Sequence, residues 1–342
     1  MTRPTIRDLA REANVSVSTV NRVLSGASSV KDGTIQKVKE AAERIGYYGL
    51  GTIRAQIVSR RPKRRFGFLL QQPNRTFYQM IGAALKAAAS EVADHDIDVE
   101  LLFAEDLSPH FIAGKLHELG QYCNAVGVVS AVHPLVSQAV SALQERNVSV
   151  FALISQLSAT GSVNYVGLDN WKVGRTSAWA FHHMCKAPGK IGILVGNHRY
   201  RCQEMNESGF RSYFREFAPD FQLLEPLSTF ETNAIAEEIT TKLITDHPDL
   251  IGLFISGGGM SGALTAVRTC GKTGKLIAVG YELTDHTRGG LLDGALTMVI
   301  AHPLQKLARE TIAGMIRAST APSDSGNQTT VLPFEIYTRE NI

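Results

Sequence analysis

Apolar residues recur at helical spacing through the first 46 positions. Ile6, Leu9, Ala10 and Ala13 make one stripe, Val17, Val20, Val23 and Leu24 a second, and Ile35, Val38, Ala42 and Ile45 a third. Thr5 and Asp8 form a capping-box-like start for the first helix. Asn14-Val15-Ser16 breaks the chain before the second, which stops at Gly26, and the third runs from about Asp32 to Ile45. Two short helices joined by a tight turn and braced by a third predict a helix-turn-helix. From Phe66 onward the period changes. Short apolar runs at 66–71, 97–103, 125–129, 148–153, 190–195, 221–225, 250–255, 275–280 and 296–301 alternate with amphipathic stretches of helical length. That alternation predicts parallel strands linked by crossover helices. An interruption near 155–170 splits the series into two doubly wound lobes, with a ligand cleft at the carboxyl ends of the strands.

These patterns divide the chain into an all-α helix-turn-helix head at 1–48, a hinge or linker at 49–65 and an α/β body at 66–342. The first lobe is expected to hold 66–165 plus 302–328, and the second 166–301 plus 329–342, with a loop from Pro322 to Asn327. At 342 residues, 44% hydrophobic and 20% charged, the chain has the composition of a folded protein with a sizeable core. Its net charge of +3 hides an asymmetry. Residues 1–65 carry 14 Lys and Arg against 5 Asp and Glu, or +9; the rest carry 21 against 27, or −6. A basic head on an acidic body points to a polyanion partner at the head.

Other classes lose ground on the same reading. Cys123, Cys185, Cys202 and Cys270 are widely separated, form no metal-ligand spacing and read as free thiols of a reducing cytosol. The first 25 residues are broken by charges, and no 18-residue apolar run occurs, so a cytoplasmic protein with no membrane partner is expected. No metal or cofactor site is expected. An enzyme is the rival reading. Gly259-Met260-Ser261-Gly262-Ala263 resembles a nucleophile elbow but ends in Ala, and Gly271-Lys272-Thr273 lacks the earlier glycine of a phosphate loop. Both read better as helix starts and turns, and no catalytic residue is assigned.

The second helix leaves Ser18, Asn21 and Arg22 on its outer face, with Val17 on the border. Arg22 has the fork geometry to bond guanine O6 and N7 together, Ser18 suits a base or a phosphate, and Val17 either packs on a thymine methyl or joins the core. The stretches Thr5-Ile6-Arg7-Asp8-Leu9-Ala10, Val15 to Leu24 and Ile45-Gly46-Tyr47 resemble the DNA-binding head of lactose-repressor-family regulators. The resemblance implies that Thr5, Ser16, Val17, Ser18, Asn21 and Arg22 face double-stranded operator DNA, with two heads of a homodimer on half-sites. Asn21 departs from the family's usual Ser. The family's hinge helix, which folds on DNA and wedges a leucine into the minor groove, would fall at Thr52 to Ile57, with Arg54 also near DNA. Gly49 and Leu50 depart from the family there. The wedge position falls on Gln56, or on Ile57 after a one-residue shift, and only Ile57 is apolar enough to unstack a base step.

Beyond Phe66 the chain resembles the family's effector domain, which is similar to periplasmic sugar-binding proteins. Asn74, Phe77 and Tyr78 match its first ligand loop, where aromatic faces stack on a sugar ring and Asn bonds hydroxyls. Phe77 and Tyr78 are alternatively core residues at a helix start. Asp169 or Asn170 would face the cleft at the entry to the second lobe. Glu204 stands where a ligand-binding Arg is expected, or is a surface charge, with Arg199 or Arg201 as a replacement cation. Gly257 and Gly258 replace an Asn-Asp pair, Glu282 replaces Asp, and His302 replaces Gln. The losses and gains suggest a carbohydrate-like effector richer in donors than a plain sugar: a polyol or an amino-bearing compound.

Overall fold

The computed structural model describes residues 3–161, 163–320, 326 and 328–342. The chain divides into two units, residues 1–64 with 92–97 and residues 65–91 with 98–342. In the first, α1 (Ile6–Glu12), α2 (Val17–Leu24), α3 (Asp32–Ile45) and α4 (Leu50–Ser59) enclose one core. The expected stripes face inward except at Val17, which is exposed: Leu9, Val20, Val38 and Ala42 are fully buried. A reciprocal capping box starts α1, in which the Asp8 amide donates to Thr5 Oγ1 at 3.3 Å and the Thr5 amide donates to Asp8 Oδ2 at 2.9 Å. Asn14, at φ 52°, supplies the left-handed residue that turns α1 into α2, and Gly46 closes α3 at φ 66°.

The expected hinge differs from a bare linker. Leu50–Ser59 is helical, and Ile53 is fully buried among α2 and α3 with Leu50 and Ile57 packed on the same core. Arg60 follows and donates to the carbonyls of Val30 (2.7 Å) and Ala27. An apolar stripe of three residues in a weakly amphipathic segment has no sequence signal of burial. It is the α2–α3 surface that makes it a fourth core helix.

In the second unit the order runs β1 (Lys63–Gln71), α5 (Thr76–Ser90), β2 (Asp96–Ala104), α6 (Pro109–Leu119), β3 (Ala125–Val128), α7 (Pro134–Glu145), β4 (Ser149–Leu153) and β5 (Asn164–Leu168). The second lobe follows with α8 (Asn170–Met184), β6 (Lys190–Val195), α9 (Arg201–Phe217), β7 (Gln222–Leu223), β8 (Leu227–Ser228), α10 (Asn233–Asp246), β9 (Leu250–Ser256), α11 (Met260–Thr269), β10 (Ile277–Tyr281), α12 (Asp285–Asp293) and β11 (Met298–Ala301). Last come α13 (Leu304–Thr320), β12 (Thr329–Leu332) and β13 (Glu335–Tyr337). The first sheet has the order β12-β5-β4-β3-β1-β2 and the second β13-β11-β10-β9-β6-β7, with β8 also on β6. The interior strands are near-continuous apolar runs, as burial on both faces demands.

The chain crosses between the sheets three times, and the crossings correct the expected lobe limits. The first lies after Leu168, at the end of β5, and not at residue 165. The third lies between β12 and β13, so residues 329–332 belong to the first lobe. β12 and β13 are short, polar edge strands without an apolar run, which is why periodicity passes over them. Pro322–Ser325 and Asn327 of the expected loop lie outside the described residues.

Candidate functional site

On the head, α2 stands free on one side. Val20 and Val23 face the core, while Val17, Ser18, Asn21 and Arg22 are exposed. Val17 keeps 40% of its surface, which resolves its two readings toward the outer face. Ser16 caps α2 by accepting the Thr19 amide at 3.1 Å, and Thr5 caps α1; both are exposed. Helix termini with free N–H groups beside basic side chains suit phosphate oxygens, and an exposed helix face of this size suits a major groove. Along α4, Arg54 pairs with Glu43 of α3 at 2.9 Å. Gln56 lies over Gly26, where an added Cβ would come 2.3 Å from Gln56 Oε1. Ile57 packs on the head core, and the exposed apolar residue of this helix is Val58.

In the body, the carboxyl ends of the strands from both lobes border a cavity of about 220 Å³, the size that suits a small molecule. Asn74, Phe77, Tyr78, Asn170, Gly257, Glu282 and His302 all line it. Tyr78 is buried behind Gln71, donating to Gln71 Oε1 at 2.9 Å, so it supports the wall and leaves the aromatic face to Phe77. Two expected residues are not among those lining it. Asp169 caps α8, accepting the Lys172 amide at 3.1 Å, while its neighbour Asn170 turns inward. Glu204 is exposed beside Arg201 at 3.6 Å; α9 instead sends Gln203 and Asn206 to the cavity. The phase of α9 is set by Gly209, where an added Cβ would sit 2.3 Å from the Trp171 carbonyl of α8, and by fully buried Phe210. Asn206 lies one turn before Phe210 on that buried face, whereas Glu204 lies outside it.

The cleft's cation is Arg75, inside the quoted Asn74–Tyr78 motif, and not Arg199 or Arg201. Arg75 reaches from the first lobe to Glu231 of the second: Nη1 donates to Oε2 at 2.9 Å and Nη2 to the Glu231 carbonyl. Glu231 Oε1 also accepts from Gln203 Nε2 at 2.7 Å. Gln71 Nε2 donates across to the Tyr200 hydroxyl at 2.5 Å, and the Cys202 amide to Ser155 Oγ at 3.4 Å. Glu282 holds His302 on both sides, accepting from Nδ1 at 2.6 Å and from the backbone N–H at 3.2 Å. Glu231 and Glu282 both take left-handed backbone, each at φ 61°, a conformation costly for a residue with a Cβ and concentrated at functional sites. Burial pushes the hydroxyls of Tyr78, Tyr200 and Tyr281 well up in pKa, so all three stay protonated donors. Buried polar atoms with no protein partner in this wall are Asn170 Oδ1, Asn206 Oδ1, the Tyr281 hydroxyl and His302 Nε2. Gln71, Ser155 and Tyr281 sit at or just past strand ends, the one signal that marks them in the sequence. Glu231 follows two-residue β8 and has no such mark.

A two-lobed body whose cleft is walled by unpaired polar atoms defines a small-molecule-binding domain, here on the same chain as a basic helix-turn-helix. Residues 66–321 match the family model of the periplasmic binding protein domain and residues 5–49 that of bacterial regulatory proteins, lacI family. The body thus belongs to the periplasmic binding protein domain family, and the head is a helix-turn-helix of the lacI family. It is 24% identical over 285 residues to the HTH-type transcriptional regulator GntR of Pseudomonas aeruginosa, covering 81% of this chain and 78% of the relative. It is 25% identical over 185 residues to the D-ribose/D-allose-binding protein of Pseudomonas aeruginosa, covering 52% of this chain and about half (56%) of that relative. Catabolite control protein A of Priestia megaterium is 56% identical over 43 residues, 13% of each chain. Among solved structures, a solute-binding protein from Agrobacterium vitis bound with α-D-tagatopyranose superposes with TM-score 0.73 at 16% identity, over 81% of this chain and 95% of that one. One from Actinobacillus succinogenes 130z with bound D-allose gives 0.71 at 20%, over 81% and 98%. These two likenesses show the fold. Among the described residues no helix is long and apolar enough to cross a membrane.

Proposed function

We propose that the protein is a sequence-specific operator-binding transcriptional repressor, working as a cytoplasmic homodimer and controlled by a small polyhydroxylated effector held between the lobes. The observation that carries this is α2: four exposed residues able to read base edges, Val17, Ser18, Asn21 and Arg22, on a helix held rigid by a buried opposite face, with residues 1–65 carrying a net charge of +9. Arg22 bonds a guanine, Ser18 and Asn21 position the helix on bases or phosphates, and Val17 meets a thymine methyl. The cleft supports effector control, because its unpaired acceptors and Phe77 suit hydroxyls and a sugar's C–H face, and several of the similar proteins bind sugars. DNA affinity then responds only if the effector binds one arrangement of the lobes better than the other. The proposed role includes no catalysis: Gly262, the second glycine of the elbow-like segment, is a packing residue whose Cβ would come 1.8 Å from the Asn233 carbonyl.

Selection of duplexes from a random pool by the full-length protein tests the reading. It should yield a near-palindromic site, and Arg22→Ala should erase preference at one position of each half-site while leaving weak, salt-dependent binding. A pool that converges on no sequence, or an unchanged preference in Arg22→Ala, refutes the assignment.

A further inference from the structure

We infer that the effector carries a protonated amino group and that Glu282 receives it. The inference rests on the cleft being the effector site and goes on to name the ligand's charge. Among the described residues, the carboxylates in the wall are Glu231 and Glu282, the cation is Arg75, and His302 and His286 complete the ionisable groups other than tyrosine and cysteine. Arg75 is already used. Both of its Nη groups are on Glu231, whose other carboxylate oxygen takes Gln203, and the Glu231 side chain is only 5% exposed. A ligand carboxylate reaching Arg75 would strip it from Glu231 and leave that buried anion without a counter-charge. An acid is therefore a poor occupant.

Glu282 has no cation of its own apart from whatever charge His302 carries. Its two oxygens accept from the Nδ1 and backbone N–H of one residue, and the lone pairs that remain are at the cavity wall. The surrounding unpaired atoms are acceptors as well. Asn170 Nδ2 donates to the Leu168 carbonyl at 3.2 Å, which fixes the amide so that Oδ1 is the unpaired end. Asn206 Nδ2 donates to Ser256 Oγ at 3.2 Å and Oδ1 is left unpaired, although a hydroxyl partner does not by itself fix the amide. His302 must carry its hydrogen on Nδ1 to donate to a carboxylate, so its neutral ring leaves a bare lone pair at Nε2. Asn170, Asn206 and His302 are each at least nine-tenths buried. Among the unpaired buried atoms of the wall the acceptors outnumber the one hydroxyl, that of Tyr281, and with the Glu282 carboxylate beside them they call for a donor-rich cation: an aminodeoxy sugar or an aminopolyol. An ammonium supplies three N–H donors and the missing charge together.

Titration calorimetry on the intact protein with three matched classes tests this. The probes are D-glucose, D-galactose, D-mannose and sorbitol; D-glucosamine, D-galactosamine, D-mannosamine and glucamine; and D-gluconate, D-galactonate and D-mannonate. At least one amine is expected to bind tenfold or more tightly than its hydroxyl counterpart. Glu282→Gln, which keeps an acceptor for His302, should erase that advantage, and Glu282→Asp, which keeps the charge, should retain part of it. A neutral sugar or an acid binding as tightly as the matching amine overturns the inference, as does an amine advantage that survives Glu282→Gln. If such a neutral or acidic ligand is lost in Asn206→Leu, the cleft remains the effector site and only the amine is wrong. Binding by no member of the three classes overturns both.

Discussion

Replacing Arg75 by Ala removes the one cation that spans the two lobes inside the cleft. Glu231, with its side chain 5% exposed, is then left with Gln203 alone. At 2.9 Å and an effective dielectric of about 20, the Coulomb attraction of the pair is about 6 kcal/mol before desolvation is counted. The measurable quantity is smaller. Removing one partner of a buried pair costs about 3–5 kcal/mol, because the other charge stays buried without compensation, and the 24% exposure of Arg75 puts this pair at the lower end, about 3 kcal/mol. At roughly 2–4 °C per kcal/mol for a domain of this size, the melting temperature of the body should fall by about 6–12 °C. Glu231→Gln should cost less, since an exposed guanidinium recovers water. The double variant Arg75→Met, Glu231→Leu should regain at least half of the Arg75→Ala loss. Calorimetric melting of the four proteins measures these differences. Single variants that both melt within about 1 °C of the parent would refute a structural ion pair across the cleft.

Three further outcomes follow from the same physical arguments. Ile53→Ala should cost about 2–5 kcal/mol of head stability through lost burial, seen as faster amide exchange across α4 in the DNA-free full-length protein; exchange that is already fast in the parent would show that α4 is not a core helix. The Thr5 hydroxyl, then its amide, holds the Asp8 carboxyl below its ordinary 3.8. With the folded value depressed, that stabilisation is present above the unfolded value and is lost as pH falls through the folded one; Thr5→Ala should move the Asp8 titration, followed by NMR, upward. Burial pushes the Cys123 and Cys202 thiols up to about 12, so a thiolate-specific reagent should label these two only on unfolding; labelling of either in the folded protein would refute their burial.

The head was readable because its information is local. Caps, turn and stripe all lie within a dozen residues, so the caps Thr5 and Ser16 and the outward Ser18, Asn21 and Arg22 were legible locally, while Val17, on the border of the stripe, was placed outward only by the structure. In the cleft, the family resemblance reached seven lining residues. Glu204 missed by register, since two residues along a helix turn a side chain through about 200°, from wall to solvent, and of the alternatives Asp169 and Asn170 it is Asn170 that lines the cavity.

Taken alone, the sequence determined the repeating elements of this protein, the basic recognition helix and the two-lobed class of the body, since each depends on near neighbours and on the period of apolar positions. Tertiary structure decided what depends on distant segments meeting. It made Leu50–Ser59 a core helix by offering Ile53 a pocket between α2 and α3, and moved residues 329–332 into the first sheet. Across some 156 positions it brought Arg75 to Glu231. No local pattern encodes such a pair, because its energy exists only once both lobes have excluded water from the space between them.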